Sequence, residues 1–317
     1  MIRLSNDRLL ELLDYPSLVK ALEEAFQAEI TVPMRHHHDY PNPKEGIDST
    51  LLLMPAWDDG QFVGLKIVTI SPNNSAYDLP SIQGSYTLFD LPTGQSILEM
   101  DAKVLTNLRT AATSALASQY LSRADSRHLL IIGTGSLAPF LIAAHASKRP
   151  IEKVSIWGRD IKKAERVLAA VEGNSLSLEV VTDLNEAIQK ADIISAATMS
   201  VNPLIHGRFL QAGQHLDLVG SYKSDMREAD DEAIRRSTLF VDTLQGAPKE
   251  SGDLAIPIKT GICTIEDIQA DLFALCSGQH SGRNNTEEIT YFKSVGHALE
   301  DLAAAKLAYE RSEGNSN

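Results

Sequence analysis

Cysteine, excess positive charge and long apolar runs are all scarce in this chain. Only Cys263 and Cys276 occur in 317 residues. They lack metal-ligand spacing and build no disulfide framework, so a reducing cytoplasm is the expected compartment. Lys and Arg number 29 against 42 Asp and Glu, a net charge of −13. That balance argues against nucleic acid and against anionic membranes as partners. Any anionic ligand must then be held by a local cluster of Arg and Lys. The chain does not open on a basic region followed by an apolar run, and no apolar stretch is long enough to span a bilayer, so no membrane segment is expected. Internal repeats and low-complexity linkers are absent too. The composition, 43% hydrophobic and 22% charged, is that of an ordinary globular protein, and the length allows two domains with sizeable cores.

The most informative stretch is Leu129 to Ala138, LLIIGTGSLA. An apolar run ends in Gly133, Gly135 and Ala138, spaced as in the dinucleotide fingerprint. Gly133 permits the tight turn out of a buried strand. Gly135 has no side chain, so a pyrophosphate can approach the backbone. Ala138 lets the next helix pack close to the sheet, and the N-terminus of that helix offers N–H groups and partial positive charge. Gly133, Thr134, Gly135, Ser136 and Leu137 are therefore the expected phosphate loop. A strand precedes the motif, a helical segment follows, and a second strand over 153–157 comes next, which is the context the motif requires.

The first third of the chain has a different rhythm. Leu9 to Leu13 and Leu18 to Ile30 have helical spacing, with Pro16 able to start the second helix. Strand-like runs follow at 49–54, 62–70, 84–89 and 96–100. Turn signals at Asp58-Asp59-Gly60 and Leu91-Pro92-Thr93-Gly94 imply antiparallel pairing. An Ala-rich helical segment, Lys103 to Leu121, leads onward. From Arg127 strands and helices alternate, with strands at 128–132, 154–157, 178–181, 193–197, 216–220 and 239–242 and helices at 136–147, 161–171, 184–190 and 228–236. This predicts an α/β chain: a Rossmann-type doubly wound parallel sheet at 121–293, and an α+β substrate and dimerisation domain with a mainly antiparallel sheet at 1–120. An amphipathic helix from Val295 to Tyr309, within a terminal segment 294–317, is expected to complete that first domain.

The second strand of a dinucleotide unit ends near the adenosine ribose. An acid there favours NAD, whereas Arg accommodates the extra phosphate of NADP. Here the sequence is SIWGRDIKKAE. Arg159 stands at the strand end with Lys162 and Lys163 one turn on, and a guanidinium grips phosphate through paired charge-assisted hydrogen bonds. NADP(H) is the favoured cofactor and NAD(H) the alternative, because Asp160 could take the ribose hydroxyls. Thr198 and Met199, just after the fourth strand, are placed to line the cofactor crevice.

Several segments in order, LTNLRTAATSALA (105–117), GTGSLA (133–138), VGSYKSDMRE (219–228), LFVDTLQGAPKESGD (239–253) and FKSVGHALEDLAAAKLAYE (292–310), resemble the ornithine cyclodeaminase/mu-crystallin family. The resemblance implies a homodimer of two-domain subunits acting on small amino acids or related imines. It places Val219 and Ser221 in the cofactor site. It also implies that Arg35, Lys66 and Arg109 bind the carboxylate of a small imino-acid substrate, with Lys66 and Arg109 catalytic. The residues themselves leave two readings open. Arg109 falls at or beside the apolar stripe of Leu105, Ala112 and Leu116, and Lys66 lies within VGLKIV; such cations need an anionic partner. A substrate carboxylate would serve, and so would an internal Asp or Glu. Where cyclodeaminases of the family place an aspartate soon after the glycine of the VG motif, this chain has Ser221 and Tyr222. The resemblance therefore points to the ketimine-reductase branch: NAD(P)H-dependent reduction of 1-pyrroline-2-carboxylate or 1-piperideine-2-carboxylate to L-proline or L-pipecolate. Ornithine cyclodeamination, an alanine-type dehydrogenase and a non-catalytic NADPH-binding protein are the alternatives. His36-His37-His38 is not expected to bind metal, since neighbours on an extended segment point to opposite sides. A loop at the pocket entrance is expected there, and one of these His could donate a proton.

Overall fold

The computed structural model of the chain describes residues 1–42, 44, 46–171 and 175–314. It divides into two compact units, one made of Met1–Arg109 with His297–Asn317, the other of Thr110–Gly296. The division falls inside a continuous helix, not at 120/121 where that helix ends. A helix that runs on unbroken carries no turn signal, so the sequence does not mark the change. Residues 315–317 of the expected terminal segment lie outside the described residues.

The first unit contains strands β1 (Ile2–Arg3), β2 (Ile30–Thr31), β3 (His36–Tyr40), β4 (Ser49–Asp58), β5 (Phe62–Ile70), β6 (Ile82–Asp90) and β7 (Ser96–Asp101), and helices α1 (Asn6–Leu12) and α2 (Tyr15–Gln27). Helix α3 (Ala102–Leu121) crosses the division. The sheet order is β1-β7-β6-β5-β4-β2, with β3 also on β4. Every pairing is antiparallel except β1 with β7. The triple-histidine segment is thus a strand, β3, and not a loop. Asp14 starts α2 by accepting from the Ser17 amide, with Pro16 in the first turn. The alternation of β5 puts Gly64, Lys66 and Val68 on the buried face with Met54 and Ala56 of β4 and Tyr86 and Leu88 of β6.

The second unit holds β8 (His128–Ile132), β9 (Lys153–Trp157), β10 (Ser177–Val180), β11 (Ile193–Ala196), β12 (His215–Leu218), β13 (Thr238–Val241), β14 (Ile268–Asp271) and β15 (Thr290–Lys293). Its helices are α4 (Ala138–Lys148), α5 (Ile161–Val171), α6 (Leu184–Lys190), α7 (Asp231–Arg236), α8 (Ala247–Glu250), α9 (Gly252–Thr260) and α10 (Leu272–Cys276). The strands form one parallel sheet in the order β10-β9-β8-β11-β12-β15-β13-β14. The strand order reverses between β8 and β11, the switch point where open parallel sheets bind ligands. Strand β15 in the middle of the sheet is not visible in the sequence pattern. It is four residues long and buried throughout, so it shows no alternation. Helix α7 begins at 231 and not 228, because Asp230 caps it by accepting from the Ala233 amide. Polar side chains tie the central strands: Asp217 accepts from Ser195 and pairs with His145, and His215 bonds Thr290. Burial pushes His215 down to about 3, so it stays neutral at physiological pH.

The last helix, α11 (Ala298–Gly314), belongs to the first unit. It starts three residues later than its apolar pattern, and it packs against α2, β4 and β5.

Candidate active site

The chemistry-bearing residues fall into two groups, one in each unit. In the first unit, Lys66 of β5 is 2% exposed and Arg109 of α3 is 5% exposed. Lys66 Nζ lies 2.6 Å from Asp301 Oδ2. Arg109 Nε donates to Asp301 Oδ1 at 3.0 Å, and its Nη1 donates to Glu300 Oε2 at 2.5 Å. Both acids sit in the first turn of α11. Of the two readings open for these cations, the internal ion pair is thus formed, and it ties β5 and α3 to α11. Half-buried Arg35 acts on both Lys66 and Asp301 through its charge.

The charges around Lys66 compete. Burial lowers its pKa most, Asp301 raises it, and Arg109 and Arg35 lower it again, leaving it at about 8. Burial would raise the Asp301 carboxyl, but Lys66 and Arg109 outweigh it and hold it below the usual range. Gly64 makes room here, because a Cβ on it would stand 1.8 Å from the Tyr86 hydroxyl. The histidines of β3 are exposed, with His37 Nε2 3.1 Å from Asp39 Oδ1. Among the described residues no group of three or more His, Cys, Asp or Glu is placed to hold a metal.

In the second unit the Gly-rich loop leaves β8 at Gly133, whose φ of 123° is in the left-handed region. A Cβ there would come within 2.6 Å of Ala197 O. Open space surrounds the position of a Cβ on Gly135, and both Gly135 and Ser136 are exposed. Thr134 and Leu137 flank them half-buried. The N-cap residue Leu137 has no side chain that could cap α4, and Pro139 lies in the first turn, so the positive end of the helix suits an anion. The loop fits a dinucleotide pyrophosphate. Arg159 and Lys163 are exposed beyond β9. The Asp160 carboxylate accepts from the amides of Lys162 and Lys163 and so caps α5. Met199 is 72% exposed. The Val219 N–H donates to Ala196 O at 2.9 Å, which fixes the residue at the end of the sheet. The Ser221 hydroxyl is turned inward, donating to Met226 O and bonded to Ser251.

Thr198 turns to a residue the sequence reading did not single out. Glu228 Oε1 accepts from the Thr198 amide at 2.7 Å and from its hydroxyl at 2.9 Å. Glu228 Oε2 accepts from the amides of Gly220 at 2.8 Å and Ser221 at 3.2 Å. Lys293 Nζ lies 3.9 Å from Glu228 Oε2 and 3.3 Å from Asp253 Oδ2, with all three side chains fully buried. Burial pushes Glu228 up most; Lys293 opposes this and Asp253 adds to it, leaving the carboxyl at about 7. Glu228, Asp253, Lys293, Glu300 and Asp301 all lie within the family-like segments, but neither charge type nor spacing marks them off from surface residues.

The model of the ornithine cyclodeaminase/mu-crystallin family matches residues 3–316. The Delta(1)-pyrroline-2-carboxylate reductase of Colwellia psychrerythraea is 35% identical over 312 residues, covering 97% of this chain and 98% of that protein. The structure of Thermococcus litoralis Delta(1)-pyrroline-2-carboxylate reductase in complex with NADH and L-proline superposes on 100% of this chain and 98% of that one, with 34% identity and a TM-score of 0.93. An archaeal alanine dehydrogenase dimer with bound NAD covers 100% and 97% at 27% identity and a TM-score of 0.91.

Proposed function

The chain belongs to the ornithine cyclodeaminase/mu-crystallin family, and on that premise we propose that it reduces a cyclic imino acid with a nicotinamide dinucleotide. The substrate is 1-pyrroline-2-carboxylate or its six-membered homologue, and the product L-proline or L-pipecolate. The observation that carries this reading is the buried group of Lys66 and Arg109 with Arg35 acting on it, together with relatives of matching length named for this reaction. Arg109 and Arg35 attract the substrate carboxylate, and they keep Lys66 close to its titration point. The loop from Gly133 to Leu137 would hold a reduced dinucleotide, which when bound would supply the hydride that the imine carbon takes up. Lys66, with a pKa of about 8, can hold the proton that the imine nitrogen takes up, a value suited to a general acid near neutral pH. Asp301 and Glu300 fix the two cations in place before substrate arrives. Elimination of ammonia from a diamine is disfavoured, because Ser221 stands where a proton-handling aspartate is wanted and its hydroxyl is engaged internally.

Two finer readings go with this. NADP(H) is preferred over NAD(H), on the strength of Arg159 and Lys163 and of Asp160, which is occupied in capping α5. The protein is a homodimer through the sheet of the first unit. Leu51, Leu53, Pro55 and Trp57 of β4 and Val63, Leu65 and Ile67 of β5 share the face opposite Lys66 and remain partly exposed. A broad apolar face of this kind marks an interface in a stable protein. Sedimentation at micromolar concentration should give twice the chain mass; a monomer would remove the dimer reading. The buried thiols of Cys263 and Cys276 fit a reducing cytoplasm.

The decisive assay follows oxidation of NADPH and NADH with each cyclic imino acid, beside ornithine alone and pyruvate plus ammonia. Turnover of an imino acid, faster with NADPH, is expected. Failure of both imino acids with clear turnover of ornithine or pyruvate would reject the proposal, and equal or better use of NADH would reject the cofactor preference.

A further inference from the structure

We infer that Glu228 is a positioning residue for the dinucleotide, its carboxylate joining the turns that leave the adjacent parallel strands β11 and β12. The inference rests on the reading of the second unit as the dinucleotide site. Four donors from two separate turns converge on this one carboxylate, two on each oxygen. Thr198 follows β11, and Gly220 and Ser221 follow β12. The two turns are pressed together: a Cβ on Gly220 would stand 2.1 Å from both Thr198 N and Thr198 O, and 2.6 Å from Glu228 Oε1. The turn after β11 in turn abuts the phosphate loop, where a Cβ on Gly133 would meet Ala197 O. A continuous line of contact therefore runs from Glu228 through Thr198 and Ala197 to Gly133, across the switch point where a dinucleotide lies in such sheets.

The surroundings of Glu228 are built to hold it and not to stabilise the fold cheaply. Asp253 Oδ1 accepts from the amides of Glu228 and Ala229, fixing the backbone from α9. Lys293, the last residue of β15, supplies the counter-charge at 3.3 and 3.9 Å, and among the described residues its ammonium meets no hydrogen-bond acceptor in good geometry. Two buried carboxylates against one ammonium are costly, and apolar residues of the same size would pack at least as well. Such a group is retained where shape must be specified. Asp242 does the same further along the edge, accepting from the amides of Thr243, Val295 and Gly296 after β13 and β15.

Glu228→Gln tests this. An amide can accept on one side only, so it sets an N–H against N–H groups of one of the two turns. NADH and NADPH binding, read from nucleotide fluorescence without substrate, should weaken roughly tenfold or more, the scale of a lost charge-assisted bond in a buried site. The KM of the imino acid at saturating dinucleotide should stay within about twofold. Dinucleotide affinity within about twofold of wild type would overturn the inference while leaving the proposed function standing. Wild-type protein that bound neither dinucleotide would overturn both. If Glu228→Gln does not fold, Thr198→Val and Thr198→Ser decide. Only the serine variant keeps the hydroxyl donor to Glu228, so it should bind dinucleotide close to wild type while the valine variant loses affinity; equal affinities would end the proposal.

Discussion

Arg109→Ala is expected to lower kcat/KM for the cyclic imino acid by roughly a hundredfold to a thousandfold, the range found when one partner of a buried charge pair is removed. Most of the loss should appear as a raised KM, because the proposed role of the guanidinium is to grip the substrate carboxylate, which carries its charge before and after reduction. A stability loss should accompany it. Arg109 bridges Asp301 and Glu300, and removing it leaves two neighbouring buried carboxylates short of one counter-charge. Breaking such a pair costs about 3–5 kcal/mol, visible as a lower unfolding midpoint. Arg109→Lys separates the two effects. It restores a positive charge but not the fork that reaches both acids at once, so stability should recover more than substrate capture. NADH binding, read by fluorescence, should be unchanged in both variants. Equal weakening of imino acid and dinucleotide, or an unchanged imino-acid KM, would show that Arg109 is a purely structural cation.

How far the sequence foretells this site depends on the range of the interaction. The Gly-rich turn is legible because its signal is local: strand, turn and helix follow one another within a dozen residues. The strand at Phe62–Ile70 is legible to the residue, since alternation along one strand needs no knowledge of its partners. Strand β15 escapes because a short strand buried on both faces has no period to show. The triple histidine escapes as a strand for a different reason. Its pairing with Leu51, Leu52 and Leu53 is decided by the neighbouring strand and not by its own exposed side chains. Arg109 and Lys66 are recognisable as cations in apolar settings, which requires an anion, but the anion is 192 residues from Arg109 along the chain. Nothing in the spacing chooses between Asp301 and a substrate carboxylate. The structure forms the internal pairing: the acids of α11 hold both cations, and Arg109 and Arg35 act together on Lys66. The same limit hides Glu228, whose role is written in backbone amides of two turns and not in any pattern of residue types.

Asp301→Asn should move the alkaline limb of the pH profile. Lys66 stands at about 8 because Asp301 opposes the joint effect of burial, Arg109 and Arg35. In the wild type, kcat/KM should therefore fall as pH rises through about 8, when the ammonium loses the proton that the imine nitrogen needs. An opposite charge favours the ionised form, so its removal lowers the Lys66 pKa further. In Asp301→Asn the limb should shift down by about one unit or more, and the rate at pH 8 should drop roughly fivefold or more, since a one-unit shift takes the protonated fraction from about a half to about a tenth. Asparagine keeps an acceptor for Arg109 Nε, so the scaffold around the guanidinium is preserved as far as one substitution allows. Asp301→Glu restores the charge and should return the limb toward its wild-type position even if the longer side chain lowers the rate. That pairing of variants distinguishes a charge effect from a packing effect, since damaged packing would lower the rate at every pH and leave the limb in place. An alkaline limb that stays put in Asp301→Asn would mean that Lys66 is not the titrating group, and the proton would then have to come from water or from the histidines of β3.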